Sequence, residues 1–494
     1  MKKVGFTWLL HNLNIDGYRL THESYLGTTD KTEVSASKAI VRIFNSKYKV
    51  KEDKPMHHLE FALKYDHLNL ALVKEVFDKV NQKTIEEYIV SKSNGKYRRI
   101  IGYLFEFTTG KIIEVKVKTT NYEDLIDPAN YITGDTIKNS KWKINDNLIG
   151  SEKYCPIVRR TSELEELLTW DIQAAIEKLK DQYSSEIFRR ASYYLYKKES
   201  KSSNEIEKEE PSQDRLDKFI TLLEEAGGKS YIESLSETEL VRIQNAIVDP
   251  RYADKGFRDF QNYIGQTMRD YTKKIHYVCP PPQFVKSLIE GIVNLDDKNS
   301  STATLVKAAI VSFGFVYTHP FEDGNGRIHR FLIHDILVRD GVVPKSTILP
   351  VSSQILARME EYDRTLEIVS KLVERKAKYS LNDSGTMTVH NPEEIEVMYR
   401  YPDLTNHTIF LARSIQTTVH QDIPKELLFL QRYDELKNKL RDIVDMPNNK
   451  IDRMIIFLHQ NNGKLAKRKR QFFEELEDKE VEKMEEEYRK IFEN

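Results

Sequence analysis

The stretch His319-Pro320-Phe321-Glu322-Asp323-Gly324-Asn325-Gly326-Arg327-Ile328-His329-Arg330 constrains this chain more than any other. It lies between LVKAAIVSFGFVYT, an apolar run of helical character, and FLIHDILVRDG, which is helical again. Pro320 disfavours helix at His319, and Gly324-Asn325-Gly326 opens left-handed backbone conformations. The chain must therefore leave one helix, turn tightly and start another. Successive N–H groups in such a turn form a nest for an anion, reinforced by the positive end of the following helix. Arg327 and Arg330 are three apart, so they fall on one side of that helix's first turns. Two guanidinium forks beside a backbone nest describe a receptor for a phosphate chain. Asp323 adds a carboxylate of the kind that holds Mg²⁺ against phosphate oxygens. His319 has an ordinary pKa suited to taking a proton from an attacking hydroxyl.

Other phosphate loops fit poorly. A Walker A loop needs a Lys after its glycines, and none follows here. A dinucleotide fingerprint needs a third Gly and a preceding strand, and GNGRIH supplies neither.

The twelve residues resemble the signature of the Fic family, HPFx[D/E]GNGRxxR, with every defining position matched. The resemblance implies a protein adenylyltransferase, which moves AMP from ATP onto a Ser, Thr or Tyr hydroxyl of a target protein or of itself. It implies His319 as general base, Asp323 as Mg²⁺ ligand and Phe321 as the apolar anchor of the loop. Gly324, Asn325 and Gly326 would cradle the phosphates, and Arg327 and Arg330 would bind the phosphate chain, Arg330 nearest the γ-phosphate. The segment Gln261 to Pro282, with Gly265 among β-friendly aromatics, reads as a hairpin and resembles the family's flap over the target. Ser203-Asn204-Glu205-Ile206-Glu207-Lys208 resembles the inhibitory motif [S/T]xxxE[G/N], which implies that Glu207 pairs with Arg330 and excludes the γ-phosphate. Lys208 departs from it, standing where Gly or Asn is usual. Alternatives within this reading are another nucleotide donor, removal of AMP, or a regulatory module binding DNA or protein around a silent core.

The rest of the chain bounds these readings. The fold expected is mainly α: a Fic helical core with its flap over 156–390 and an inhibitory segment near 199–209. An α/β domain over 1–155 and a helical domain over 391–494 flank it. In the first of these, periodicity predicts a helix over 57–77. IIEVKVK, residues 112–118, is the clearest strand candidate, because its Ile and Val alternate with charges; YRRIIGYLFEF before it suits strand or buried helix. Asn121 to Asn147 is polar and turn-rich. Ser162 is expected to cap one helix running through LEELLTWDIQAAIEKL. KKESKSSNEIEKEEPSQ suits an exposed linker or a short helix stopped before Pro211.

With 76 Lys and Arg against 77 Asp and Glu, nothing electrostatic favours nucleic acid as a partner. The basic run Lys464 to Arg470 reads as a solvated helix face answering the acidic run Glu474 to Glu487. The two cysteines, Cys155 and Cys279, match no metal spacing and suit a reducing compartment. No apolar run is long enough for a membrane span. A cytoplasmic enzyme is therefore expected; a homodimer is implied by the resemblance alone. His319, His329 and His334 share no helix face and are read as separate surface or core histidines. Tyr263 and Tyr277 are read first as packing residues of the flap.

Overall fold

A computed structural model describes residues 1–35, 39–269, 272–345 and 347–493. Helices dominate, with four small sheets among the described residues. The mainly α expectation holds. One continuous apolar core runs from Phe6 to Leu430. A second cluster, from Leu436 to Tyr488, is built by the end of helix Ile423–Ile443 and the helices Asn448–Gln460 and Asp478–Phe492.

The described residues up to 90 combine a four-stranded sheet with four α-helices and one 3₁₀ turn. The single helix expected over 57–77 is two, Pro55–Tyr65 and Leu70–Lys79. The break has a cause that periodicity does not carry. Asn69 caps the second helix by accepting from the Leu72 N–H at 2.9 Å. Asp66, freed from helical geometry, accepts from the Phe6 N–H and the Ser24 hydroxyl. Residues 97–107 are helical within Lys96–Thr109, which ends on Gly110 at φ 70°.

The strand expected at 112–118 does not form. Its alternation reflects one buried residue, Ile113, beside an exposed Ile112. Its backbone bonds to side chains instead: Ser93 donates to the Lys116 carbonyl and the Lys118 N–H to Asn94. The polar stretch that follows folds into a three-stranded sheet around the fully buried Trp142. Trp142 packs so closely on Gly102 that a Cβ there would lie 2.2 Å from its ring.

The helix expected from Ser162 is also two, Ser162–Thr169 and Ile172–Gln182, capped by Thr161 and Asp171. The segment around 197–213, left open between linker and short helix, belongs largely to one 22-residue helix, Ser185–Ile206. Its small polar residues permit close approach: Ser200, Ser203 and Asn204 are buried. Its buried Glu199 accepts from the Ser352 N–H at 2.8 Å and lies 3.1 Å from His334 Nε2, which seats the helix on the core.

The central pair, Thr304–Thr318 and Asn325–Arg339, is buried on almost every face. His329 and His334 are therefore core residues. The flap is an antiparallel hairpin, Tyr263–Thr267 with Lys273–Val278; its residues 270–271 lie outside the described residues. The flap tyrosines pack: Tyr277 donates to the Tyr317 carbonyl and Tyr263 to that of Gly385. The basic run forms a 3₁₀ turn over Lys467–Phe473 rather than a helix face. There Lys469 covers the Phe457 ring and Arg470 reaches Asp478 of the acidic run at 3.1 Å. No described helix is long and apolar enough to cross a membrane.

Candidate active site

The loop between the central helices starts at His319, which ends the first helix in a left-handed conformation, φ 49° and ψ 58°. Pro320 prevents the helix from continuing, and the reversal turns the chain at once. Phe321 is fully buried against Phe257 and Phe315, fixing the loop to the core. Asn325 closes the turn on itself: its side chain accepts from the Phe321 N–H at 3.1 Å and donates to the Phe321 carbonyl at 2.9 Å. Gly324 caps the second helix at φ 88°, with Val248 3.1 Å from where its Cβ would stand. The N–H groups of Asn325, Gly326 and Arg327 find no acceptor among the described residues. They are the open donors of a helix start, in the nest the sequence predicts.

Arg327 and Arg330 are 0% and 1% exposed, and both are occupied. Arg330 donates through Nε to the Ser203 hydroxyl at 2.7 Å and through one terminal nitrogen to the Ser203 carbonyl and to Glu207, at 2.7 and 2.8 Å. Ser203, Glu207 and Arg330 are thus brought together. The Glu207 carboxylate also covers the nest. A Cβ on Gly326 would stand 2.1 Å from its Oε1, so only glycine fits beneath it. Arg327 meets Asp323 Oδ1 at 3.0 Å and both oxygens of Glu209 at 2.9 Å. Asp323 also accepts from the Gly324 N–H at 2.5 Å.

Glu209 is the partner that sequence reasoning missed. It reaches the site through a chain reversal at the end of helix Ser185–Ile206. The Glu209 N–H donates to the Asn204 carbonyl at 3.1 Å and the Lys208 N–H to that of Glu205 at 2.9 Å, the paired bonds of a Schellman turn. Such a turn needs a left-handed residue at its corner, and Lys208 supplies it at φ 58°. This gives a physical reason for Gly or Asn at the position in the family pattern, and shows that Lys adopts the same backbone at a cost of about 1 kcal/mol. Glu207 and Glu209, on either side of that corner, point at Arg330 and Arg327 respectively.

Three further residues support the loop and carried no local sequence signal. Arg258, buried, donates to the carbonyls of His319, Phe260 and Pro280, each at 2.7 Å, and its N–H donates to the Pro320 carbonyl. Gln244, buried, donates to Asp254, which accepts from the Glu322 N–H at 3.2 Å. Burial and the Arg258 guanidinium push the His319 imidazole down to about 4, so the ring is neutral near pH 7. Its Nδ1 lies 3.3 Å from the Val316 carbonyl; donation there leaves Nε2 with the lone pair.

Residues 234–337 match the Fic/DOC family. The chain carries a Fic domain. Across 201 residues it is 32% identical to the probable protein adenylyltransferase aq_aa38 of Aquifex aeolicus (strain VF5), covering 38% of this chain and 62% of that protein. It is 39% identical over 136 residues to protein adenylyltransferase fic-1 of Caenorhabditis elegans, covering 27% of this chain and 24% of the relative. The matched segments thus span less than two thirds of these relatives' own length. Among solved structures, a Fic family protein from Desulfovibrio desulfuricans G20 aligns with a TM-score of 0.38 at 17% identity, over 54% of this chain and 76% of that one. The Fic match contains the whole loop, from His319 to Arg330, but not Ser203, Glu207 or Glu209.

Proposed function

We propose that this protein is an adenylyltransferase that moves AMP from ATP onto a hydroxyl side chain of a protein, and that Glu207 and Glu209 hold it in an inhibited state. The observation that carries this reading is the occupancy of the two arginines. Both phosphate-reading guanidiniums sit beside an open helix start, and each is engaged by a carboxylate of the segment 203–209. A triphosphate and these carboxylates are anions competing for one set of donors, so seating one requires removing the other.

In the active state the open N–H groups and Arg327 hold the phosphate chain, and Arg330 receives the γ-phosphate. His319 Nε2 takes the proton from the attacking Ser, Thr or Tyr hydroxyl as its oxygen bonds to the α-phosphorus. The bond from the α-phosphorus to the bridging oxygen breaks, and pyrophosphate leaves. Charge developing on the phosphoryl oxygens falls on the nest and the arginines. Asp323, half-exposed beside the nest with both recorded bonds on Oδ1, fits a Mg²⁺ that would neutralise phosphate charge, since that ion commonly takes one carboxylate plus substrate oxygens.

Incubation with Mg²⁺ and ATP radiolabelled at the α position tests this, comparing the parent with Glu207→Gly and Glu207→Gly/His319→Ala and using γ-labelled ATP as control. Label on protein in the Glu207→Gly lane, lost without His319 and absent with γ-label, is the expected result. No α-label in any lane, with cell lysate supplied as target, rejects the donor or the chemistry; parallel lanes with GTP, CTP and UTP, and release of AMP from a pre-modified lysate, separate those cases.

Two quantitative expectations arise from the geometry. With the His319 pKa lowered to about 4, the neutral, proton-accepting form persists well below pH 6.5. Glu207 is among the charges that raise that pKa, so its removal lowers it further. In Glu207→Gly, kcat/KM for ATP, which reports the free enzyme, is therefore flat from about pH 8 to about pH 5 in its histidine contribution. A histidine inflection near 6.5 in the pH profile, absent from His319→Asn, contradicts it. Second, Lys208→Gly relieves the strained corner by about 1 kcal/mol, favouring the closed turn. Basal transfer then falls roughly fivefold relative to the parent; a rise would mean that the corner does not govern the lock.

A further inference from the structure

A second concave site lies away from the nest, where residues 17–22 and 66–69 face the helix Met359–Lys376 and the stretch 398–406. It is a cavity of about 360 Å³, within the size range of small-molecule sites. Leu20, Leu68, Leu372, Met398 and Tyr401 contribute an apolar surface. Arg19, Arg159, Arg364, Lys371 and Arg375 supply five cationic heads against the carboxylates of Asp66, Glu367 and Asp403.

Those three carboxylates are already committed. Asp66 accepts from the Phe6 N–H at 2.8 Å and the Ser24 hydroxyl at 2.5 Å, and lies 3.3 Å from His22 Nε2. Asp403 accepts from the Thr405 N–H and hydroxyl and from Arg159. Glu367 pairs with Lys371. What remains is two guanidiniums with no ion pair among the described residues, Arg19 and Arg375, and a third, Arg364, in a loose exposed pair. Arg375 is recorded only on the Gly17 carbonyl, at 3.3 Å. Arg364 stands 3.7 Å from Glu360, with both side chains largely in solvent. Arg19 has no bonded partner among the described residues.

Surface arginines alone are ordinary. Arginines around an apolar cavity, with each carboxylate that lines it already bonded elsewhere, are complementary to a ligand with an apolar body and one negative group. We propose that this cleft binds a small organic anion: a partly apolar molecule whose carboxylate, sulfonate or phosphate is held by Arg19, Arg364 and Arg375.

Anilinonaphthalene sulfonate, an aromatic body with one sulfonate and a fluorescence readout, is the probe for the full chain. Expected is one saturable site whose affinity is unchanged by saturating ATP with Mg²⁺. Affinity falls about tenfold or more in Arg19→Glu/Arg375→Glu, whose side chains are exposed. Leu372→Trp, which fills the cavity and keeps every charge, abolishes binding; if that variant melts early, the arginine pair decides alone. Non-saturable binding, displacement by ATP, or unchanged affinity in the arginine pair overturns the proposal. None of these readouts depends on AMP transfer, so the cleft stands or falls separately from the proposed reaction.

Discussion

Glu207→Gly transfers AMP on the order of a hundredfold faster than the parent at ATP well below saturation, because a charge-assisted hydrogen bond of about 1.5–3 kcal/mol no longer occupies the Arg330 donor. Arg330 keeps its two bonds to Ser203, so its side chain stays in place while one donor opens toward the nest. The carboxylate that stood over Gly326 is gone as well, which removes the anion nearest to where phosphate oxygens must sit. Release is incomplete, since Glu209 still grips Arg327 with both oxygens. Adding Glu209→Gln therefore raises the rate by about a further tenfold: the amide still accepts a bond from Arg327, or from Arg215, which donates to Glu209 at 2.9 Å, but no longer competes as an anion. The same changes strip buried Arg330 of its carboxylate and leave buried Arg327 with Asp323 alone, at 3.0 Å. The ATP-free double variant melts below the parent, and ATP with Mg²⁺ recovers most of the loss, because phosphate oxygens replace the carboxylates. Initial rates of label incorporation and thermal scans with and without ATP check both halves. Equal rates for parent and Glu207→Gly, with ATP demonstrably bound to each, would remove Glu207 from the lock.

How much of this could be read from the residues depends on how local each determinant is. The 319–330 loop was legible because its geometry is set by its own residues: Pro320 stops a helix, Gly324 takes φ 88°, Asn325 ties the turn to Phe321. The hairpin at 263–278 was legible for the same reason. Glu207 was placed only through a spaced pattern. Glu209, two residues on in an acidic run, looked like solvated charge. Its approach to Arg327 depends on a reversal at Lys208, and no propensity assigns a left-handed backbone to lysine. Arg258 is further from legibility still, since its carbonyl partners at 260, 280 and 319 meet only in the folded core. The split helix over 57–77 and the absent strand at 112–118 fail in the opposite direction. There a valid apolar period was overruled by contacts to distant partners, Asp66 to Phe6 and Ser24, and Ser93 and Asn94 to residues 116–118.

His319→Ala in the Glu207→Gly background lowers AMP transfer by about a hundredfold to ten-thousandfold, the range of a positioned general base, and leaves the affinity for ATP unchanged. The split between rate and affinity follows from where the ring sits. The described groups aimed at a phosphate chain are the N–H groups of 325–327 and the two arginines, whereas the recorded side-chain bond of His319 is to the Val316 carbonyl. That bond holds Nδ1 and presents Nε2, so the imidazole serves the incoming hydroxyl rather than the nucleotide. Truncation has a structural risk, because residue 319 carries a left-handed backbone and its carbonyl anchors Arg258. His319→Asn separates the two effects. Asn tolerates that left-handed backbone better than Ala, so the main-chain carbonyl stays where Arg258 meets it, but it offers no basic nitrogen at a neutral pH. If His319 acts as the base, Asn is as inactive as Ala while melting at the parent's temperature. If Asn restores transfer, the ring only positions the loop, and the proton must leave by another route. If Ala itself retains the full rate of Glu207→Gly, the residue has no part in the chemistry. Arg258→Lys, measured beside these, reports the positioning alone: it keeps a charge near His319 but cannot reach three carbonyls in one plane, so it lowers the rate and moves the histidine inflection without abolishing transfer.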